Sequence, residues 1–592
     1  MKALKTLFFI LVIFFLAAPA SFSQDAAARP NPGTEPSPVA VSTAAPAPAD
    51  AAEWNGLNAQ VMELIHSGQY DRGVAMAKQE LELAEKSFGQ DHPSVATSLN
   101  NLAGLYRTHG LYSKAEPLYT RALSIDEKAV GPEHPYVATD LNSLAELYSA
   151  QGLYAEAEPL YKRALDIREK ALGPRHPSVA ESLSNLAGLY RAQGRYDQAE
   201  PLYKSALALD EKVLKPNSAG LATDLNNLAD LYRALAQYDQ AEPLYARSLA
   251  IREKVLGPAH TSVAVSLNDL GELYSAQGLY AKAEPLYTRA LAIDEKALGP
   301  NHPDVAGDLN NLAELYSATV RYAEAEPLYA RALAIREKAL GPSHPSVAAS
   351  MNNLAGLYCA QGAYEKAEPL YARAFAIDEK VLGPDHPEVA TDLNNLAELY
   401  RTRGRYGKAE PLYTRALSID EKALGPDHPA VARGLNNLAE LYLARGRYVQ
   451  AEPLYKRSLA IKEKIFGPAH ISVATGLSNL AGLYTAEEKY EQAEPLYKRA
   501  LAIDEKALGS AHPSVAMDLN NLARLYRLQA RYEESERLYT RSLEIFEKAL
   551  GPDHPNVGAC LRNMAVLYRI TGRDKEADRL EKRAAVIRSR NH

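Results

Sequence analysis

The sequence predicts an all-α solenoid of about 13 stacked, antiparallel helix pairs, and three observations carry that expectation. The dipeptide His-Pro occurs at His92, His134, His176, His302, His344, His386, His428, His512 and His554, while His260 and His470 keep the histidine alone. Every interval equals the step from His92 to His134 or a multiple of it, which is a 42-residue period. Within one copy, Leu141, Leu144, Ala145 and Tyr148 share one helical stripe, and Ala157, Leu160, Tyr161 and Ala164 make a second. Gly152 and Gly173-Pro174 end these helices, and Pro177 opens the next one, where a missing N–H costs nothing. One such pair is too small to bury its apolar faces alone, so neighbouring copies must stack.

In chain order, Lys2 and Lys5 precede twelve apolar residues, Leu7 to Ala18, and then the small residues of Ala18-Pro19-Ala20 and Ser21-Phe22-Ser23. Residues 1–23 read as a secretory signal peptide cut after Ala20 or Ser23, which places the mature chain in the periplasm or outside the cell. The apolar run is shorter than the roughly 20 residues that cross a bilayer, so no integral span is expected in the mature chain. Residues 24–52 hold ten Ala and six Pro and read as a flexible linker. Gly68 and Tyr70 stand one period before Gly110 and Tyr112, which makes 53–91 a degenerate first repeat. Eleven tandem 42-residue repeats fill 92–553, with Ser218 standing where the others have histidine, and 554–592 is a last repeat ending in a basic capping helix. Pro159 and its equivalents fall just inside each second helix, where a local bend is expected.

The pattern LxxLAxLYxxxGxYxxAxxLYxxAL, running over residues 53–590, resembles the tetratricopeptide repeat. The 42-residue unit with LNNLAELY, YxxAEPLYxRAL and IxEKxLGPxHPxVA is similar to the long repeats of kinesin light chains and their bacterial relatives. The resemblance implies a right-handed superhelix that captures peptides on its concave side. It does not imply a motor, because the signal peptide puts the chain outside the cytoplasm. Residues beyond the usual repeat length are expected to lengthen both helices.

A formal charge of −7, with no basic stretch apart from the last turns near Arg583 to Arg590, makes nucleic acid a poor partner. Histidines on successive loops should lie about 10 Å apart, too far to share an ion through bonds of about 2 Å, so each is expected to cap the helix that follows it. Cys359 and Cys560 fall five copies apart and should be free thiols. No nucleophile elbow, zinc-protease, phosphate-loop or dinucleotide motif occurs, so neither catalysis nor a cofactor is expected.

Beside the apolar stripe of each first helix runs a polar one, in one copy Thr139, Asn142, Ser143, Glu146 and Ser149. Elsewhere its centre is usually a pair: Asn100 and Asn101, Asn226 and Asn227, Asn310 and Asn311, Asn352 and Asn353, Asn394 and Asn395, Asn436 and Asn437, Asn520 and Asn521, with Asn268 alone in its copy. Asparagine is a mediocre helix former, so its recurrence needs a cause. In tetratricopeptide proteins this stripe lines the groove, where amides both donate to and accept from an extended peptide backbone. The alternative is that one asparagine of each pair bonds to neighbouring groups and positions the stack. Glu146, Asp230, Glu272, Glu314, Glu398 and Glu440 vary with Gly104, Gly188, Gly356 and Gly482, while Arg107, Arg191, Arg233, Arg401, Arg527 and Arg569 follow three residues after this position. Finally, Asp140, Asp224 and Asp308 accompany Arg168, Arg252 and Arg336, whereas Ser98, Ser182, Ser266 and Ser350 accompany Asp126, Asp210, Asp294 and Asp378, which suggests an exposed Asp to Arg ion pair within alternate copies; duplication of an 84-residue block would give the same alternation without contact, and Asp392 with Asp420 breaks it. The sequence thus points to an exported, non-catalytic scaffold that binds an extended protein segment, the competing class being a structural spacer or envelope-assembly scaffold acting through its convex surface or ends.

Overall fold

A computed structural model describes residues 48–214 and 217–590; the expected signal segment lies outside them. Among the described residues there are 26 helices in 13 antiparallel pairs and no strand. We number these pairs as units 1 to 13, each with a first and a second helix. Unit 1 is Pro48–His66 with Tyr70–Phe88, unit 2 is Pro93–Thr108 with Tyr112–Val130, and unit 13 is Pro555–Ile570 with Asp574–Arg590. The first helix begins at Pro48, so residues 48–52, read from composition as linker, are helical. First helices run 16 residues in a typical unit and second helices 19. Ten second helices contain the internal proline, each unbroken, from Pro117 to Pro495.

Each histidine caps its helix as the sequence predicts: Nδ1 of His92 and His344 accepts the N–H two residues on, at 3.1 and 3.0 Å. Ser218 substitutes its hydroxyl, accepting from Leu221 N–H at 3.2 Å. The first-to-second-helix turn needs a left-handed residue, normally glycine, but Ala236, Val320, Glu488 and Ala530 hold the same conformation at φ 51 to 62°.

Units are joined by contacts that recur at fixed spacing. On the outside, an arginine of one second helix meets a glutamate of the preceding one, as in Arg163–Glu127 at 2.7 Å and Arg541–Glu505 at 2.6 Å. The glutamate before each internal proline accepts from the tyrosine hydroxyl of the next first helix, as in Tyr148 to Glu116 at 3.0 Å and Tyr400 to Glu368 at 2.9 Å. The half-exposed ion pairs each contribute about 0 to 1 kcal/mol, but they repeat along the stack.

The alternation of Asp, Arg and Ser works across copies, not inside one. Arg168 donates to Ser182 Oγ at 3.0 Å and pairs with Glu181 at 3.2 Å, both in the next unit. Asp140 instead faces Asp126 of the preceding unit and accepts from Asn100 Nδ2 at 2.6 Å. Asp126 and Asp140 are buried, at 6% and 2% exposure, so the expected exposed pair is replaced by two buried motifs in turn. One boundary joins two carboxyls (Asp126 with Asp140, Asp210 with Asp224, Asp378 with Asp392). The next sets a long cation against serine (Arg252 with Ser266 at 2.7 Å). Two later boundaries keep the size rule with other residues, Lys462 over Gly476 and the buried Phe546 near Cys560. Where a boundary does not join two carboxyls, a large side chain meets a small one, because a close-packed interface leaves one slot for the two.

The coil closes on itself after six units. His344 of unit 8 donates from Nε2 to the carbonyl of Thr108 in unit 2, 2.7 Å away and 236 residues earlier. His386 repeats this on Ala150 at 3.2 Å and His428 on Ala192 at 3.0 Å. The rings of His470 and His554 face the carbonyls of Ala234 and Ala318. His302 and His512 lie against Gly68 and Gly278, so every pair of units six apart is in contact. Gly194 shows why the turn is tight: its φ is +68° and a Cβ there would stand 2.7 Å from Pro429. Apolar contacts complete the seam, with the Tyr196 ring 5.5 Å from that of Phe466 and with Ile465 and Leu508 packed on residues of the earlier turn.

Val320 is β-branched in a left-handed turn, so Val320→Gly should raise stability by about 1 kcal/mol, read as a higher melting temperature. Stability should also depend on pH through two sets of buried groups. Burial pushes Asp140 up to about 8 and Asp126 to about 6, so the folded state holds protons that the unfolded chain releases near 4; this contribution is lost as pH rises from about 4 to 8. Burial lowers His386, His428, His470, His512 and His554 to about 4 from 6.5, so their contribution is present above 6.5 and lost as pH falls towards 4. Melting should therefore peak between these limbs. Asp140→Asn, which can accept from Asn100 and donate to Asp126 without titrating, should raise the melting temperature at pH 8, raise it less at pH 5, and leave it unchanged only at about pH 3, below the range in which the unfolded carboxyl ionises.

Candidate peptide-binding inner face

Neighbouring first helices approach one another more closely than neighbouring second helices, which puts the first helices on the inside of the curve. Their polar stripes therefore converge on the axis of the coil. The structure divides the predicted asparagines between two jobs. At the first position of the pair, Asn142, Asn226, Asn268, Asn310, Asn394 and Asn520 are buried, at 4 to 9% exposure, and Asn100, Asn352 and Asn436 are half-buried. Three of them reach into the next unit to hold the boundary aspartate: Asn100 to Asp140, Asn268 to Asp308 and Asn352 to Asp392, each at 2.6 Å. Ser184 and Ser478 do the same for Asp224 and Asp518 at 2.9 and 2.7 Å. Asn226 donates to Asp269 at 2.8 Å, Asn394 to its own helix at Ala390, and Asn436 to Glu440 at 2.8 Å. Asn520 accepts from Asn563 at 3.1 Å. At the second position, Asn101, Asn227, Asn311, Asn353, Asn395, Asn437 and Asn521 are half-buried. Asn101 joins Asn58 and Glu80, at the first boundary.

One turn further along each first helix lies a ladder of charge that includes a residue type absent from the sequence-based site, the tyrosine of the second helix. Tyr245 donates to Asp230 at 2.5 Å, Arg233 donates to Tyr245 at 3.2 Å, and Arg233 reaches Glu272 of the next unit at 2.9 Å. Tyr413, Glu398, Arg401 and Glu440 repeat the arrangement, and Arg107 pairs with Glu146 at 3.4 Å. The helix glycines belong to the same pattern. A Cβ on Gly104, Gly188, Gly356 or Gly482 would lie 3.5 to 3.6 Å from the hydroxyl of Tyr119, Tyr203, Tyr371 or Tyr497, an ordinary contact, so each glycine sits beside a tyrosine without being required by it, whereas a Cβ on Gly271 would stand 2.7 Å from the ring of Tyr287. The cue was present in the sequence, since the tyrosine of LYxRAL recurs with the repeat period, in phase with the acidic or glycine position.

The electrostatics show how enclosed this face is. Glu146 keeps 37% and Glu272 28% of its side chain open to water, yet removal from bulk water still pushes both carboxyls up, offset by Arg107 and Arg233. The same enclosure takes Glu314 and Asp269 up to about 7. Groups that water can touch but protein surrounds are what the inside of a closed coil provides. Among the described residues no three His, Cys, Asp or Glu side chains converge as a metal set, and no helix is long and apolar enough to cross a membrane. Cys359 and Cys560 are free thiols.

Several solved structures are similar over part of this fold. A putative kinesin light chain of nearly identical tetratricopeptide-like repeats from Podosopora anserina is 31% identical, with 35% of this chain and 97% of that one covered at a TM-score of 0.30. BtubC (BKLC) from P. vanneervenii is 28% identical, covering 39% and 92% at 0.33. A Rap protein complexed with competence and sporulation factor is 17% identical, covering 62% and 98% at 0.43. No curated protein matches. The profile of the tetratricopeptide repeat matches residues 63–128, 110–170, 136–212, 220–296, 262–338, 304–380, 346–422, 393–464, 472–548 and 519–588. With its helix pairs, register and matched span in agreement, the chain belongs to the tetratricopeptide repeat family.

Proposed function

We propose that this protein is an exported, non-catalytic binding scaffold that takes an extended protein segment along the inner face of its coil. The observation that carries the reading is the inner stripe itself: half-buried amides at the second asparagine position, in a stripe that also carries Tyr, Arg and carboxylate groups, recur in every unit from 7 to 13, while Ser143 and Asp269 interrupt the run in units 3 and 6. Amides at helical repeat spacing offer a donor and an acceptor to each stretch of backbone, and charges of both signs suit a mixed sequence better than a uniformly acidic one. Because successive turns touch, a ligand reaches this face along the axis, which favours an extended chain over a folded domain. Export rests on Lys2, Lys5 and the apolar run Leu7 to Ala18.

The two asparagine positions give a test in which folding and binding separate. The combined change Asn311→Ala, Asn353→Ala and Asn395→Ala should weaken partner capture by about tenfold with melting unchanged. Asn352→Ala, which removes the bond to Asp392, should instead lower melting. Capture is measured by pull-down from the envelope fraction with crosslinks mapped to the inner positions; crosslinks confined to second helices would sink the reading. For export, N-terminal sequencing of envelope material should find a chain beginning at Ser21 or Gln24, and a chain beginning at Met1 in the cytosol would overturn it.

A further inference from the structure

The seam between turns uses two edges of the coil, and half of each edge is left bare. The loop edge carries the capping histidines; it is covered in units 7 to 13 and uncovered in units 2 to 6. In the covered half His302, His344, His386, His470 and His512 are buried and His428 and His554 half-exposed, whereas in the uncovered half none is buried: His92 and His134 are half-exposed and His176 and His260 exposed. Their apolar neighbours follow the same division. Ile465 and Leu508 pack against the preceding turn, while their equivalents six units earlier, Val213 and Leu256, stand 43% and 36% exposed, with Val255 beside them at 44%. The turn edge mirrors this. A Cβ on Gly68, Gly110, Gly152, Gly194 or Gly278 would meet a histidine or proline of the next turn at 2.7 to 3.2 Å, but around Gly362, Gly404, Gly446 and Gly572 there is nothing within 4 Å. Leu528 and Ile570, which end the first helices of units 12 and 13, are 37% and 49% exposed on this edge.

We propose that the bare loop edge of one molecule docks on the bare turn edge of a second copy of the same chain, continuing between molecules the contact made seven times within one. In the register of the internal seam, His92, His134 and His176 would cover the turns at Gly404, Gly446 and Glu488, each ring keeping its cap through Nδ1 and donating from Nε2 to a helix-end carbonyl. The occupant is a second copy because the two edges are already complementary in this sequence, residue class for residue class. The contact is heterologous, so it leaves one free edge at each end and grows into a helical file rather than closing as a dimer. Ser218 sits on the bare loop edge and marks its weakest point.

The test is the mass of the purified full chain by sedimentation and light scattering over a concentration series. The weight-average mass should climb steadily above the 64.6 kDa monomer. Val213→Lys with Val255→Lys, at positions already open to water, should need about tenfold more protein to reach the same mass, with helix content unchanged. His134→Ala with His176→Ala should act in the same direction, and Lys204→Glu, in mid-helix away from both edges, should have no effect. A chain that stays monomeric throughout, a mass that stops at a dimer, or lysine variants that associate as the parent does would each overturn the proposal.

Discussion

The contact between a loop histidine and the turn six units earlier is the constraint on which the rest of this structure depends. For unit 8 to land on unit 2 within hydrogen-bond distance, all the intervening boundaries must add to one rotation and one rise. Without the seam, an error at any boundary would be carried to every later unit, since a stacked repeat is otherwise positioned only by its immediate neighbours. The histidine closes the sum. With Nδ1 accepting from its own helix, the proton sits on Nε2 and is free to donate to the carbonyl of the earlier turn, so one neutral ring fixes both a local cap and a long-range position.

That constraint explains why the boundaries differ in chemistry but not in geometry. Two aspartic carboxyls sharing protons, an arginine against a serine, a lysine over a glycine and a phenylalanine near a cysteine all fill the slot between a second helix and the next first helix. Burying two carboxylates side by side would be prohibitive if both were ionised, and the raised affinity for protons is how the pair is tolerated. The asparagine or serine of the preceding first helix then donates to the carboxyl that most needs a partner, which ties three helices of two units at one point.

Much of this was legible in the sequence and some was not, for physical reasons. Helix pairs, glycine turns and histidine caps depend on contacts between near neighbours in the chain, and the repeat displays them over and over. The partner of Asp140 is hidden from the sequence because opposite charges predict a pair with Arg168, whereas burial raises the proton affinity of Asp140 and lets it sit beside Asp126, on the second helix just upstream. The asparagine pair could not be divided because adjacent helix positions point about 100° apart and both lie on the polar side, so only the stacking decides which is covered. Closure after six units is the sum of small rotations that no local pattern records.

A trace of that closure is nevertheless present. All seven histidines of units 7 to 13 are retained, and the one slot without histidine among units 2 to 13, Ser218, falls in unit 5, where no earlier turn lies beneath it. A serine hydroxyl replaces the capping role of the ring but is too short to reach across to another turn. The same reasoning separates the turn residues: glycine stands at 68, 110, 152, 194 and 278, where a Cβ would collide with the next turn, and also at 362, 404 and 446, where nothing is near. The left-handed turn alone accounts for glycine at the second set, as Glu488 and Ala530 show that it can be dispensed with there. Ala236 and Val320 occupy covered turns at the cost of strain, so the seam accepts a side chain where the approach of the next turn leaves space for it. Local conformation thus sets the preference for glycine, and packing between turns decides where that preference is enforced.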